Sequence, residues 1–180
     1  MGGRATTADL WETIAADAGH ESALWNAALR PREEQEREPV FSPLGEPRYA
    51  LGIETIYEGY LLHYGRTRLF SPDDQDAALL LGDYLYAHGL VRIEEVGSVE
   101  AVSDLAELIA VCAYLHAEGI VGDGPVWAAT AAALGRGELE SGRSSLRLDS
   151  DPSPLERLAR TQAGDAAVEG ALAAHRGRLR

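Results

Sequence analysis

Two arginines near the middle of the 180-residue sequence are the first candidates for binding chemistry. Arg66 and Arg68 follow Gly65, a residue type that commonly ends helices. Guanidinium groups match the geometry of phosphate and carboxylate oxygens, so the pair could hold an anionic group. The two cations could equally complement the negative end of the preceding helix. The sequence favours this second, structural role.

Three aspartates, Asp73, Asp74 and Asp76, follow Ser71-Pro72. Carboxylate oxygens are the ligands that Mg²⁺ prefers, which makes these aspartates candidate metal ligands. Helix capping is the alternative, because serine suits the N-cap, proline the first helical position and carboxylates the first turn. Capping accounts for Asp73 and Asp74 completely. We therefore expect no cofactor, and Mg²⁺ only if this aspartate group proves functional.

The histidines and the single cysteine offer little catalytic signal. His63, His88 and His116 fall on three consecutive predicted helices, where a three-histidine metal site is conceivable, although His88 is more simply a packed or hydrogen-bonded side chain. None of the five histidines has the Glu-x-x-His or His-Glu-x-x-His spacing of helical metal sites. Cys112 lies in an apolar run, where burial makes a thiol unreactive. No catalytic residue is predicted.

Composition limits the choice of partner and compartment. The net charge is −13, which argues against nucleic acid and anionic membranes because both require basic surfaces. No apolar run reaches the roughly 20 residues of a membrane span, and the N-terminal residues lack the apolar core of a signal peptide. A single cysteine permits no disulfide within the chain. These features predict a cytoplasmic protein without a membrane span.

The residues above must be positioned by helices, since no alternating strand pattern is present. We predict an antiparallel trio over residues 49–64, 73–93 and 99–118. In the first of these helices, Glu54 and Glu58 are four residues apart and therefore share a face. Gly82 lies inside the second helix, where glycine usually indicates a close approach of another helix. Gly97-Ser98 separates the second helix from the third.

The whole chain, residues 1–180, is predicted to be a single all-α domain with about six or seven helices. The trio is predicted to form the core, and shorter helices, one of them rich in alanine, precede and follow it. Residues 31–48 are rich in charge and proline and are predicted to be a linker. Residues 135–151 contain glycines and several serines and are predicted to be a flexible loop.

Residues 78–88, Ala-Leu-Leu-Leu-Gly-Asp-Tyr-Leu-Tyr-Ala-His, resemble a helix of the trans-isoprenyl (polyprenyl) diphosphate synthases that reads approximately Ala-Val-Leu-x-Gly-Asp-x-Leu-Leu-Ala. In that family an aromatic-glycine pair precedes the helix, as Tyr64-Gly65 does here. The next helix of the family ends similarly to Ala117-Glu118-Gly119. The resemblance covers residues 54–119, and Gly82-Asp83 is its most specific part. It implies an isoprenoid-synthase-like fold in the centre of the chain.

The chain departs from the family at the metal-binding motifs. Family enzymes carry two Asp-Asp-x-x-Asp motifs, which hold Mg²⁺ on an allylic diphosphate. His63 stands where the family has a histidine before the first motif, but no aspartates follow it. The group Asp73-Asp74-Gln75-Asp76 has the composition but the wrong spacing, and no second motif is present. The resemblance therefore implies a degenerate or partial member.

Some polyprenyl diphosphate synthases pair a catalytic subunit with a smaller one that lacks the aspartate motifs. The resemblance implies that this chain is such a non-catalytic accessory or regulatory subunit, with a catalytic synthase subunit as its partner. If the site binds a ligand, the expected residues are His63, Arg66, Arg68, Asp83 and His88.

Two alternatives remain open. The chain could be a helical interaction module without enzymatic activity, forming a homodimer through its alanine-rich helices. It could instead bind a small apolar ligand in a pocket lined by Tyr57, Tyr60, Tyr84 and His88, with the two arginines near an anionic head group.

Overall fold

The computed structural model describes the backbone of residues 7–180 and the side chains of residues 10–180. Over this range the chain forms nine α-helices and three short 3-10 turns, and no strand. The turns are Arg32–Glu34, Ser42–Leu44 and Pro47–Tyr49. The helices are α1 (Thr7–Glu21), α2 (Ala23–Ala27), α3 (Ala50–Tyr64), α4 (Gln75–Val96), α5 (Val99–Glu118), α6 (Asp123–Ala132), α7 (Glu140–Asp149), α8 (Ser153–Ala163) and α9 (Asp165–Arg176).

The predicted all-α domain is confirmed, with more helices than the six or seven expected. The three central helices lie where the sequence placed them, and Ser98 caps α5 by accepting a hydrogen bond from the Ala101 backbone N–H. The cap of α4 differs from the prediction. Asp74, not Ser71, is the N-cap, and its Oδ1 accepts a hydrogen bond from the Ala77 N–H at 2.8 Å.

The charged and proline-rich segment 31–48 does more than connect α2 to α3. It contains the three 3-10 turns, and Val40, Phe41 and Leu44 are buried in the main hydrophobic core. Its backbone therefore has a fixed path across the bundle. The apolar residues interspersed among the prolines were the signal for this anchoring.

The predicted flexible loop at residues 135–151 is the clearest difference from the structure, because helix α7 occupies most of it. Leu139 and Leu146 are buried there. Arg143 fixes the helix to α5, since its Nη1 donates to Asp104 Oδ1 at 3.0 Å and its Nη2 to the Asp104 carbonyl at 2.9 Å. The local abundance of glycine and serine hid these tertiary anchors.

Helices α3 and α4 pack closely and antiparallel, and four glycines make this possible. Gly59 faces Gly82, and Gly52 faces Gly89. A Cβ at Gly59 would lie 2.9 Å from the Gly82 carbonyl oxygen, and one at Gly52 would lie 3.2 Å from the Gly89 carbonyl oxygen. The close approach predicted from Gly82 is thus confirmed, and side chains larger than hydrogen do not fit at these crossings.

The interior consists of two hydrophobic clusters, and α3 and α4 contribute to both. The main cluster also contains residues of α5, α6, α7, α8 and α9, and the smaller one contains residues of α1 and of the loop after α3. No helix among residues 7–180 combines the length and the apolar character that crossing a membrane would need.

Candidate functional site

Arg68 lies in the centre of a fully buried ionic network. Its Nε donates to Glu58 Oε2 at 2.9 Å, and its Nη1 donates to Glu54 Oε2 at 2.5 Å. All three side chains have no exposure to solvent. The Arg68 guanidinium also lies over the rings of Trp11 and Tyr57, at 4.6 and 4.9 Å from their centroids.

Backbone N–H groups complete this network. Glu54 Oε1 accepts from Val40 N and Ser42 N, and Glu58 Oε1 accepts from the N–H groups of Arg68 and Leu69. Burial opposes the charge of Arg68, but attraction by the two carboxylates outweighs it and raises the pKa of the guanidinium. Arg68 therefore fixes the loop after α3, and no part of it can reach a ligand from solvent.

Arg66 points outward instead. It is exposed and pairs with Glu36 at 2.5 Å. The two arginines that sequence analysis grouped as a clamp are thus separated, one on the surface and one in the core. An ion pair between exposed groups contributes little to stability, about 0–1 kcal/mol.

His63 and Asp83 are the only two of the predicted ligand-binding residues that the fold brings together. His63 Nε2 lies 3.2 Å from Asp83 Oδ1, and the imidazole stacks on Tyr86 with 5.1 Å between ring centroids. Burial lowers the pKa of His63, and the nearby Asp83 only partly opposes this. The neutral imidazole is thus favoured over the charged form.

His88 belongs to a different contact, between α4 and α1. Its Nε2 lies 3.3 Å from Asp17 Oδ2, and Arg92 binds the same carboxylate oxygen. The three histidines considered as metal ligands have different polar partners: Asp83 for His63, Asp17 for His88 and Tyr60 for His116. Among the described residues, no group of three or more His, Cys, Asp or Glu side chains has a geometry that could hold a metal ion. Asp73, Asp74 and Asp76 are exposed, and Asp74 acts as the helix cap.

A second buried polar network was not predicted from the sequence. Asp123, at the start of α6, accepts a hydrogen bond from the Tyr60 hydroxyl and lies 3.3 Å from His175 Nε2. The same Tyr60 oxygen is 3.0 Å from His116 Nε2. The Tyr57 hydroxyl is 2.9 Å from His175 Nδ1. These five side chains come from α3, α5, α6 and α9.

The hydrogen-bond partners determine which atom carries each proton in this network. Tyr60 donates its proton to Asp123, so its oxygen accepts from His116 Nε2–H. His175 donates from Nε2 to Asp123, and its Nδ1 accepts from the Tyr57 hydroxyl. Burial opposes ionisation of Asp123, but the hydrogen bonds from His175 and Tyr60 outweigh it and lower its pKa to about 2. Burial and the Asp123 charge together raise the pKa of Tyr60.

The network around Asp123 holds helices together in a filled interior. The rings of Tyr57 and Tyr60 stack at 5.9 Å, and Trp127 packs edge-on against both. Tyr84 contacts α1 and α2 instead, and His88 contacts α1. The four residues predicted to line an apolar pocket therefore do not share one. Cys112 is buried as predicted, and burial followed by the Asp123 charge raises the pKa of its thiol.

A stripe of residues on the solvent side of α5 carries no charged side chain, although the protein has a net charge of −13 and Glu100 and Glu118 are exposed elsewhere on the same helix. We call this stripe the α5 outer face. Val99 is 81% exposed and Tyr114, at its edge, is 40% exposed. The face consists of exposed residues three or four positions apart: Val99, Ser103, Ala106, Ala110, Ala113 and Ala117.

A groove between α5 and α7 borders this face. Its volume is about 420 Å³, and Ala110, Val111 and Tyr114 form its floor. Glu107 and Arg147 form an ion pair at its side. The α5 outer face thus adjoins a shallow depression with a polar edge, an arrangement typical of surfaces that contact another protein.

Comparison of the chain with known proteins found no matching family model, no matching curated protein and no matching solved structure.

Proposed function

We propose that this chain is a non-catalytic helical subunit that acts in the cytoplasm by binding another protein. The observation that carries the proposal is the α5 outer face. Over five turns of a helix it presents no charged side chain, on the surface of a strongly acidic protein. Depletion of charge at the centre of a surface patch is the compositional mark of protein interfaces.

Alanine at most positions of this face suits a helix as partner. Small side chains allow two helix axes to approach to roughly 8 Å, the lower end of the usual range. Val99 at one end and Tyr114 near the other provide larger apolar contacts. Burial of these side chains is favourable by roughly 25 cal/mol per Å² of apolar surface removed from water.

The resemblance of residues 54–119 to polyprenyl diphosphate synthases supports a catalytic subunit of that class as the partner. The residues that carry the resemblance have clear packing roles here. Gly82 permits the approach of α4 to α3, and Asp83 contacts His63. A small subunit with this helical pair, bound through α5, would influence the product length or the stability of a synthase.

Affinity purification of the tagged chain from its source organism, followed by native mass spectrometry, tests the proposal. We expect a stoichiometric complex with a second helical protein, and a polyprenyl diphosphate synthase subunit identifies the accessory role. Recovery of the chain only as a monomer contradicts the proposal.

A homodimer is the second candidate, and the α5 outer face also favours it. The four alanines of this face, Ala106, Ala110, Ala113 and Ala117, follow a 4-3-4 spacing that an antiparallel copy of the same helix can match. The mass of the purified species separates the two candidates, since a homodimer has twice the mass of the chain and contains no second protein.

A further inference from the structure

A polar cleft of about 390 Å³ opens between the end of α3 and the start of α4, away from the α5 outer face. Its volume is within the usual range for small-molecule sites. Three parts of the chain that are distant in sequence line it: Arg30, residues 62–79 and Arg180. The polar side chains that the argument uses are Arg30, Thr67, Ser71, Asp73 and Arg180.

Arg30 is held in this cleft with part of its hydrogen-bonding capacity unused. Its Nη2 donates to Thr67 Oγ1 at 3.2 Å. Its Nε is enclosed by the protein and is therefore not accessible to a ligand. Its Nη1 is not enclosed in this way and makes no hydrogen bond or ion pair with the described residues, so Nη1 is the group of Arg30 that can donate to a ligand oxygen.

Arg180, which is exposed, also lines the cleft. Within the described part of the chain, neither Arg30 nor Arg180 has a carboxylate oxygen within 4 Å, although acidic residues outnumber basic ones by 29 to 16. By contrast, the neighbouring Arg66 and Arg178 both pair with Glu36. Two arginines without ion pairs to the described residues thus line one cleft, a composition that suits a carboxylate or a phosphate.

The aspartates of the cleft select among anions. Asp73 is exposed and makes no ion pair with the described residues, and Asp74 is engaged in capping α4. A ligand with several negative charges would be repelled by these carboxylates at close range. A ligand that carries one negative and one positive group satisfies the arginines and Asp73 together.

We propose that this cleft binds a small zwitterion, with its carboxylate at Arg30 and Arg180 and its ammonium group at Asp73. The volume fits a free amino acid or a dipeptide. The hydroxyl of Ser71, which lies on the cleft wall, is a further hydrogen-bonding group for the ligand.

Isothermal titration calorimetry and ¹H–¹⁵N NMR titration of the full chain test this proposal, with glycylglycine as the probe. Acetate, methylammonium and inorganic phosphate are titrated separately. We expect glycylglycine to bind at least about tenfold more tightly than any of the three, because only it engages both charges. Chemical-shift changes should be confined to the residues of the cleft.

Two variants locate the site without disturbing the fold, because neither side chain makes an ion pair or a hydrogen bond with the described residues. Arg180→Ala and Asp73→Asn should each weaken glycylglycine binding about tenfold. Arg157→Ala removes an exposed arginine on α8 that also lacks an ion pair and should leave binding unchanged. The proposal is overturned if glycylglycine does not bind, if phosphate binds equally well, or if the three variants behave alike.

Discussion

Arg68 Nε and Glu58 Oε2 are 2.9 Å apart in a part of the interior that solvent does not reach. Removing a cation from such a network leaves two buried carboxylates with no compensating charge. We expect Arg68→Met, which keeps the length of the side chain, to lower the free energy of unfolding by about 3–5 kcal/mol or to prevent folding. Urea unfolding followed by circular dichroism measures this.

Arg66→Met is the matched control, because Arg66 is two residues away and its ion pair with Glu36 is exposed. It should change the free energy of unfolding by less than about 1 kcal/mol. Equal losses in the two variants would contradict a structural role for the buried network.

Two glycine-to-alanine substitutions should change the free energy of unfolding in opposite directions. A Cβ at residue 82 would lie 2.6 Å from His63 Nε2 and 3.2 Å from the Gly59 carbonyl oxygen. Gly82→Ala should therefore lower the free energy of unfolding by about 1–3 kcal/mol, despite the better helix propensity of alanine. The same change at Gly170, in the middle of α9, meets no atom within 4 Å and should raise it by about 0.4–1 kcal/mol. Stabilisation by both substitutions would show that α3 and α4 do not pack this closely.

Because the pKa of the Asp123 carboxyl is lowered in the folded protein, we expect the protein to lose stability in acid. Its pKa in the folded protein is lowered from 3.8 to about 2, so the unfolded chain takes up the proton first as the pH falls. Its contribution, about 2 kcal/mol, is complete above the ordinary pKa and is lost as the pH falls through 2. In Asp123→Asn this contribution is absent.

Urea unfolding at a series of pH values, from about 5 to about 2, measures this effect. The difference in free energy of unfolding between the natural protein and Asp123→Asn should shrink towards the acid end. Asp73→Asn, which removes an exposed carboxylate, should parallel the natural protein. A constant difference for Asp123→Asn across the series would exclude the assigned role of this carboxylate.

Local sequence signals predicted the helices where their ends are chemically marked. Gly65, Gly97-Ser98 and Gly119 delimit the central helices, and Gly119 has a φ of 67°, which favours glycine. The shared face of Glu54 and Glu58 was also predicted. The buried ion pairs that these two carboxylates form were not predicted, because their partner Arg68 lies in a loop that looked like a solvated helix end. Two carboxylates on an otherwise apolar helix face were the available signal for a buried cation.

The network around Asp123 could not be predicted from the sequence, for a different reason. Its members, Tyr57, Tyr60, His116, Asp123 and His175, come from four helices and share no local spacing. Helix packing alone brings them together. Likewise, α7 is fixed by the contact of Arg143 with Asp104, which is 39 residues away.

The proposed binding role rests on the α5 outer face, and a pull-down with substituted chains tests it most directly. Tagged natural protein, Ala110→Glu and the control Ala166→Glu, on the exposed side of α9, are purified in parallel from the source organism. Bound protein is measured by native mass spectrometry. The account predicts that Ala110→Glu loses its partner, or its second copy, while it keeps the stability of the natural protein and the control retains binding. Equal recovery of a partner by all three proteins, or a monomer in every case, would contradict it.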